Sequence, residues 1–95
     1  MTAYMIISVT PDDHDKMHEY EQKTLEIVSR YAGRPVTRDV DVVGIDTDDV
    51  PAIGVILELP DKQAVQDFYS CDEYAPLKAF RKSFARASAL VFEVP

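Results

Sequence analysis

Two segments of this chain are apolar on both of their faces. Tyr4-Met5-Ile6-Ile7-Ser8-Val9 and the run Ala52–Leu59 are rich in β-branched and aliphatic residues, and prolines follow at 11 and 60. Both read as strands, the second central in its sheet. Side chains alternate across a strand. Met5, Ile7, Val9, Ile53, Val55 and Leu57 therefore share one side, while Tyr4, Ile6, Ala52, Gly54 and Ile56 share the other. Strands that are apolar on both sides have to be covered on both sides.

The rest of the chain supplies helix for one side only. Met17, Tyr20, Thr24, Ile27, Val28 and Tyr31 recur every three or four residues, with Leu25 flanking. This is one apolar stripe of a helix running from about Asp13 to Ala32. Asp12 and Asp13 are its N-cap candidates, and Gly33 stands where a left-handed C-cap residue belongs. Val36, Arg38, Val40 and Val42 alternate with Thr37, Asp39 and Asp41 in a second strand. A loop through Asp46-Thr47-Asp48-Asp49 leads to the third. A second helix starts at Asp61 and runs through Val65, Phe68 and Tyr69, and Ser70-Cys71-Asp72 breaks it. Its second part starts near Asp72 or Glu73, with Pro76 in the first turn, where proline is tolerated. Tyr74, Leu77, Phe80 and Phe84 mark the buried side, and Lys78, Arg81, Lys82 and Arg86 crowd the later turns, as the helix dipole favours. Leu90–Val94 is the fourth strand.

The order β-α-β-β-α-β, with the second helix broken in two, is the ferredoxin-like arrangement, an α+β fold. It predicts one domain over residues 1–95: a four-stranded antiparallel sheet with its helices on one face. The other face is left bare, and a second copy of the chain, sheet against sheet, would cover it.

Three stretches carry a resemblance to a known family. Arg30-Tyr31-Ala32-Gly33-Arg34 resembles the K-Y-G-G-R end of helix one in the family called domain of unknown function 1330. Phe68-Tyr69-Ser70-Cys71-Asp72-Glu73-Tyr74, continuing through Leu77 to Arg81, is similar to that family's F-Y-x-S-x-E-Y-x-x-L-x-x-x-R stretch, with one residue fewer before the acidic pair. Glu58-Leu59-Pro60 is similar to its E-F-P. Ala32 replaces the usual glycine and Pro76 enters the helix, so the loop and the helix start are expected to differ locally. The resemblance implies the dimeric α/β-barrel superfamily and hence a homodimer. That superfamily also holds cofactor-free monooxygenases, muconolactone isomerases and haem enzymes, and a shared fold transfers none of these reactions.

Charge and composition narrow the partners. At 46% hydrophobic and 28% charged, the chain is an ordinary folded protein rather than a disordered one. Its net charge is −7, with eleven acidic and five basic residues in the first fifty positions. An acidic domain repels phosphate backbones and anionic membranes, so neither nucleic acid nor a membrane surface is an expected partner. The longest apolar run, Ala52–Leu57, is far short of the ~20 residues that span a bilayer. Met1-Thr2-Ala3 carries no basic leader, and the lone Cys71 makes no internal disulfide, so a cytoplasmic protein is expected.

Four groups of residues are candidates for chemistry. Glu58, Tyr69, Tyr74 and Arg81 form the first. Arg81 would grip a carboxylate or enolate with its fork of donors, and Glu58 would act as general base if burial raised its pKa; alternatively the two simply pair. Arg38 alternates with Val36 and Val40 on the apolar side of strand two, so it either has a carboxylate partner or faces a ligand cavity. His14, His18 and Glu21 lie on one side of helix one, with Glu21 inside the apolar stripe. They are a weak metal set, and capping or solvated roles fit better, so no metal is expected. The acidic loop fails the calcium pattern, having Pro51 and Leu57 where glycine and an acid are required. Cys71 sits beside Asp72 and Glu73, which blunt a thiol. With only Gly33, Gly44 and Gly54 there is no glycine-rich phosphate loop. The reading that results is a small cytoplasmic homodimer that holds a small organic acid in its barrel cavity. It acts there as a cofactor-independent isomerase or monooxygenase, with Glu58 and Arg81 catalytic and Arg38, Tyr69 and Tyr74 binding. The alternative is a non-catalytic binding or structural dimer, and a cavity of ~300 Å³ or more is what separates the two.

Overall fold

The computed structural model describes residues 1–95 in full. Strand β1 (Thr2–Pro11) is followed by helix α1 (His14–Arg30), β2 (Arg34–Asp39), β3 (Ile53–Leu59), α2 (Lys62–Ser70), α3 (Ala75–Lys82) and β4 (Ala85–Val94). The four strands form one antiparallel sheet in the order β2-β3-β1-β4, and the fold is ferredoxin-like. Three helices cover one face of the sheet, and residues 71–74 turn the chain between α2 and α3. The result is a slab of 32 × 30 × 17 Å, thin because the second face carries no layer of its own.

Local chemistry accounts for the helix ends. Asp13 accepts from the Lys16 amide at 3.0 Å and Asp61 from the Ala64 amide at 2.8 Å, each satisfying an orphan donor of a first turn. At the end of α1 the expectation for Gly33 is corrected. The left-handed residue is Ala32 (φ 60°), and Gly33 has no positive φ. Gly33 is needed for space instead: a Cβ there would lie 2.5 Å from Val28 Cγ1 and 3.0 Å from Leu59 Cγ. Alanine in left-handed backbone costs ~1–2 kcal/mol, partly offset by the entropy that glycine loses on folding. Ala32→Gly is therefore expected to raise stability by about 0.5–1 kcal/mol, read as a higher denaturant midpoint at unchanged slope.

Three elements have boundaries that differ from expectation, and one of them, α3, starts at Ala75 rather than near Asp72 or Glu73. Strand β2 ends at Asp39, so Val40 and Val42 lie beyond it, and a bulge between Pro35 and Thr37 breaks the two-residue period. Val36 is the extra residue of that bulge and is exposed, while Arg38 pairs with Val55 of β3 and faces the helices. Helix α3 ends at Lys82, so Phe84 and Arg86 are not helical. Strand β4 starts at Ala85, five residues before Leu90, and pairs along the whole of β1. Ala85-Arg86-Ala87-Ser88-Ala89 has little strand propensity of its own; its long antiparallel ladder to β1 holds it extended.

The core lies between sheet and helices. Phe68, Ile53, Leu59, Val9 and Val28 are its largest fully buried side chains, each contributing about 1.5–3 kcal/mol. On the opposite face Ile6, Leu90, Phe92 and Val94 stand exposed. The two-sided apolar character of the strands is thus real, and the single chain uses only one side of it.

Candidate functional site: a cationic end in an apolar cavity

Between α1, α3 and the helix-covered face of the sheet lies a cavity of about 270 Å³. Met5 and Ile7 of β1 and Val55 and Leu57 of β3 form its floor. Ala87 and Ala89 line it from β4, opposite Val9 and Ile7. These small side chains leave open the volume that larger ones would fill. From α1 come Met17, Tyr20, Glu21 and Thr24; Tyr74, Arg81 and Lys82 come from α3 and its N-cap, and Tyr69 from α2.

Aromatic contacts hold the upper wall. The Tyr20 and Tyr74 hydroxyls are hydrogen-bonded at 2.6 Å, and the Tyr74 ring packs at 4.8 Å from Phe68 and 5.4 Å from Tyr69. Tyr69 is partly exposed, with Lys78 Nζ 4.3 Å from its ring centre. Burial pushes the Tyr74 phenol well above its ordinary value, the neighbouring Tyr20 adds to this, and Arg81 pulls the other way. Tyr74 is therefore a neutral hydrogen-bonding group at physiological pH, not a base.

The sign of the resulting pH dependence follows. An unfolded tyrosine titrates near ~10, and the folded Tyr74 titrates above that, so its neutral form favours the fold. That contribution is whole below pH ~10 and is lost as pH rises toward the folded value. The denaturant midpoint should fall above pH ~10, and less steeply in Tyr74→Phe. Tyr31, raised by the Cys71 side chain, supplies the slope that remains.

The charged residues divide into a paired set and an unpaired one. Arg38 Nε meets Glu21 Oε2 at 2.8 Å and its Nη2 meets Oε1 at 3.0 Å, a two-pronged pair across α1 and β2. Arg38 thus has the carboxylate partner that was one expected alternative, and it also lines the cavity. Arg81 has no such partner. The four ion pairs of the chain are Lys23–Glu19, Arg30–Glu73, Arg34–Glu58 and Arg38–Glu21. Arg81 Nε is buried with nothing to accept its hydrogen.

The expected Glu58–Arg81 cluster does not form. Glu58 pairs with Tyr4 of β1 in register and bonds Arg34 at 2.6 Å, on the face away from the helices. The sheet separates it from Arg81, Tyr69 and Tyr74, which do come together. His14, His18 and Glu21 gather no metal-binding group either, since Glu21 is engaged by Arg38. Sequence reasoning missed Thr24 and Tyr20 as site residues because both fit the apolar stripe of α1. Their spacing of four, placing two hydroxyls one above the other on a buried face, was the available signal. Lys82 was read only as a dipole-complementing charge.

A ferredoxin-like slab with an open apolar face and a cation-lined cavity under its helices defines the class of this protein. The chain belongs to the family described as Domain of unknown function (DUF1330), whose model matches residues 2–95. No protein of curated function matches it. Among solved structures it is similar to RPA0582, a protein of unknown function from Rhodopseudomonas palustris (TM-score 0.83, 13% identity, 99% of this chain and 82% of that one). It is also similar to SnoaB, a cofactor-independent oxygenase from Streptomyces nogalater (TM-score 0.74, 13% identity, 99% and 93%). A third is a dimeric ferredoxin-like protein of unknown function from Jannaschia sp. (TM-score 0.66, 12% identity, 99% and 100%). At these identities the likeness is one of fold. No helix of the chain is long and apolar enough to cross a membrane.

Proposed function

We propose that this chain binds a small organic acid in the cavity and acts on it without a cofactor, as a homodimer closed through the bare sheet face. The observation that carries the reading is Arg81, a guanidinium lining an apolar cavity with no carboxylate of the protein to meet it. Arg81 is half-buried with its Nε fully buried; buried charged groups are paired or functional, and the natural partner of this one is an anion from outside. The cavity is a little smaller than ~300 Å³ but close to the range of small-molecule sites.

Its chemistry is that of donors. Arg81, Lys82 and the Tyr20–Tyr74 hydroxyl pair surround the space where negative charge would develop on a substrate oxygen. Glu21 is the one carboxylate among the lining residues. In this reading it takes a proton from the carbon next to a carbonyl, the electron pair moves onto the carbonyl oxygen, and Arg81 holds the enolate. Where a double bond of the substrate is conjugated with the enolate, return of the proton to the far end of that conjugated system completes an isomerisation; otherwise it returns to the same carbon and the result is proton exchange. The cofactor-independent oxygenase among the structural neighbours supports a fold that works without a cofactor. Arg38 holds both Glu21 oxygens, and that observation favours the second reading, a binding protein without catalysis.

Two measurements test this. Calorimetric titration with 2-naphthoate should give saturable binding, and its absence removes the acid-binding reading. Proton exchange of phenylpyruvate into deuterated water, followed by NMR, should be accelerated by the protein and not by Glu21→Gln. Binding without acceleration leaves the non-catalytic reading in place.

A further inference from the structure

Two buried polar atoms of the chain have no hydrogen-bond partner, Arg81 Nε and Thr24 Oγ1, and both belong to residues that line the same cavity. The acid-binding reading uses only the first. Thr24 stands one turn beyond Tyr20 on α1, within the buried stripe. A threonine hydroxyl in a helix ordinarily finds the carbonyl a turn back, and this one does not. Valine has the same shape and would fill the stripe without a polar atom to satisfy. The hydroxyl therefore serves nothing that is visible in the fold itself.

The two orphans lie on different walls. Helix α1 packs beside β2 and α3 beside β4, the two edge strands, and the helices also touch each other, with Tyr20 bonded to Tyr74. On the α1 side Glu21 already neutralises Arg38. The surplus positive charge of the cavity is thus on the α3 side, at Arg81 and Lys82, in a protein whose net charge is −7. One wall asks for an anion and the other for an uncharged group that accepts or donates a hydrogen bond. Between them the floor is apolar, and the volume is just under twice the ~150 Å³ in which an apolar cavity holds one benzene.

We propose, resting on the acid-binding reading above, that the ligand is a two-ended acid: a carboxylate held at Arg81 and Lys82, a body of one or two rings over the Met5–Val55 floor, and a hydroxyl or keto group at the far end bonded to Thr24. Thr24 is then the residue that selects hydroxylated or keto acids over plain ones.

The test compares 6-hydroxy-2-naphthoate with 2-naphthoate by calorimetry on the intact protein. The wild type should prefer the hydroxylated acid by about tenfold, the worth of one buried hydrogen bond. Thr24→Val should bind both acids alike, and Thr24→Ser should restore the preference. A wild type that binds both acids equally, or a preference that survives in Thr24→Val, overturns the assignment of Thr24 while the acid-binding reading stands. If neither acid binds the wild type, the acid-binding reading falls and this one falls with it. Thermal melts of both variants confirm that the comparison is made on folded protein.

Discussion

Arg81→Met is expected to weaken binding of 2-naphthoate by about a hundredfold while leaving the ligand-free protein as stable as before, or more so. Truncating one partner of a partly buried charge pair costs about 2–5 kcal/mol of binding. The free protein loses no ion pair, because Arg81 has none. What it loses is a buried Nε with no acceptor, whose desolvation opposes folding by about 1–3 kcal/mol. Methionine keeps most of the apolar stem against the cavity wall. Arg81→Lys retains the charge without the two-pronged fork and should lie between wild type and Arg81→Met. The measurement is a pair of experiments on each variant, calorimetry for binding and denaturant titration for stability. Opposite movement of the two marks a residue kept for a ligand. A variant that unfolds more easily and binds normally would show that Arg81 is structural.

That separation also explains what could be read from the residues alone. Element order, the antiparallel sheet and the one-sided helix layer follow from local pattern, because periodicity of two or near 3.6 is set by each segment in itself. Long-range register is not local. The bulge at Pro35/Thr37 leaves Val36 without a partner in the ladder, and nothing in the alternation of Val36, Arg38 and Val40 announces it. Glu58 at the end of a strand and Arg81 on a helix read as one polar cluster at an end of the barrel cavity. The strand pleat instead turns Glu58 to the bare face, where Arg34 meets it. The alternation of strand three already placed Ile56 on that side, and Glu58 two residues on had to follow. Gly33 and Ala32 exchange roles because α1 ends on its C-cap, Tyr31: the Ala32 and Gly33 amides bond back to the Ser29 and Val28 carbonyls, which makes Ala32 the left-handed residue, while the approach of Leu59, a tertiary fact, keeps Gly33 small. The partnerless state of Arg81 lay furthest out of reach, since it requires knowing where every carboxylate ends up.

Replacing both Leu90 and Phe92 by glutamate is expected to convert a dimer into a folded monomer. These side chains are 65% and 59% exposed in the single chain, so its own core does not depend on them. They lie opposite Ile6 and Tyr4 of β1, midway along β4, the strand that forms one edge of the bare face. Four strands of six to ten residues at ~4.8 Å spacing and ~3.3 Å per residue give that face about 500 Å², below the ~800 Å² per partner of a stable interface. The exposed Val43 and Ile45 of the β2–β3 loop extend the apolar surface further. Monomers rarely leave a patch of this kind uncovered. In a two-fold dimer the pair occurs twice, and burying the exposed parts of four such side chains contributes about 4–8 kcal/mol. Loss of that term, with glutamates facing each other across the axis, should weaken association by a thousandfold or more. Sedimentation equilibrium reads the mass and far-ultraviolet circular dichroism reads the fold. A wild type that sediments as a 10.7 kDa monomer at tens of micromolar, or a double variant that remains dimeric, would show that this face is not where the copies meet. The cavity lies on the other side of the sheet, so the monomeric variant should still bind 2-naphthoate. If binding is lost along with the dimer, the site is completed across the interface, and Arg81 is not sufficient to hold the acid.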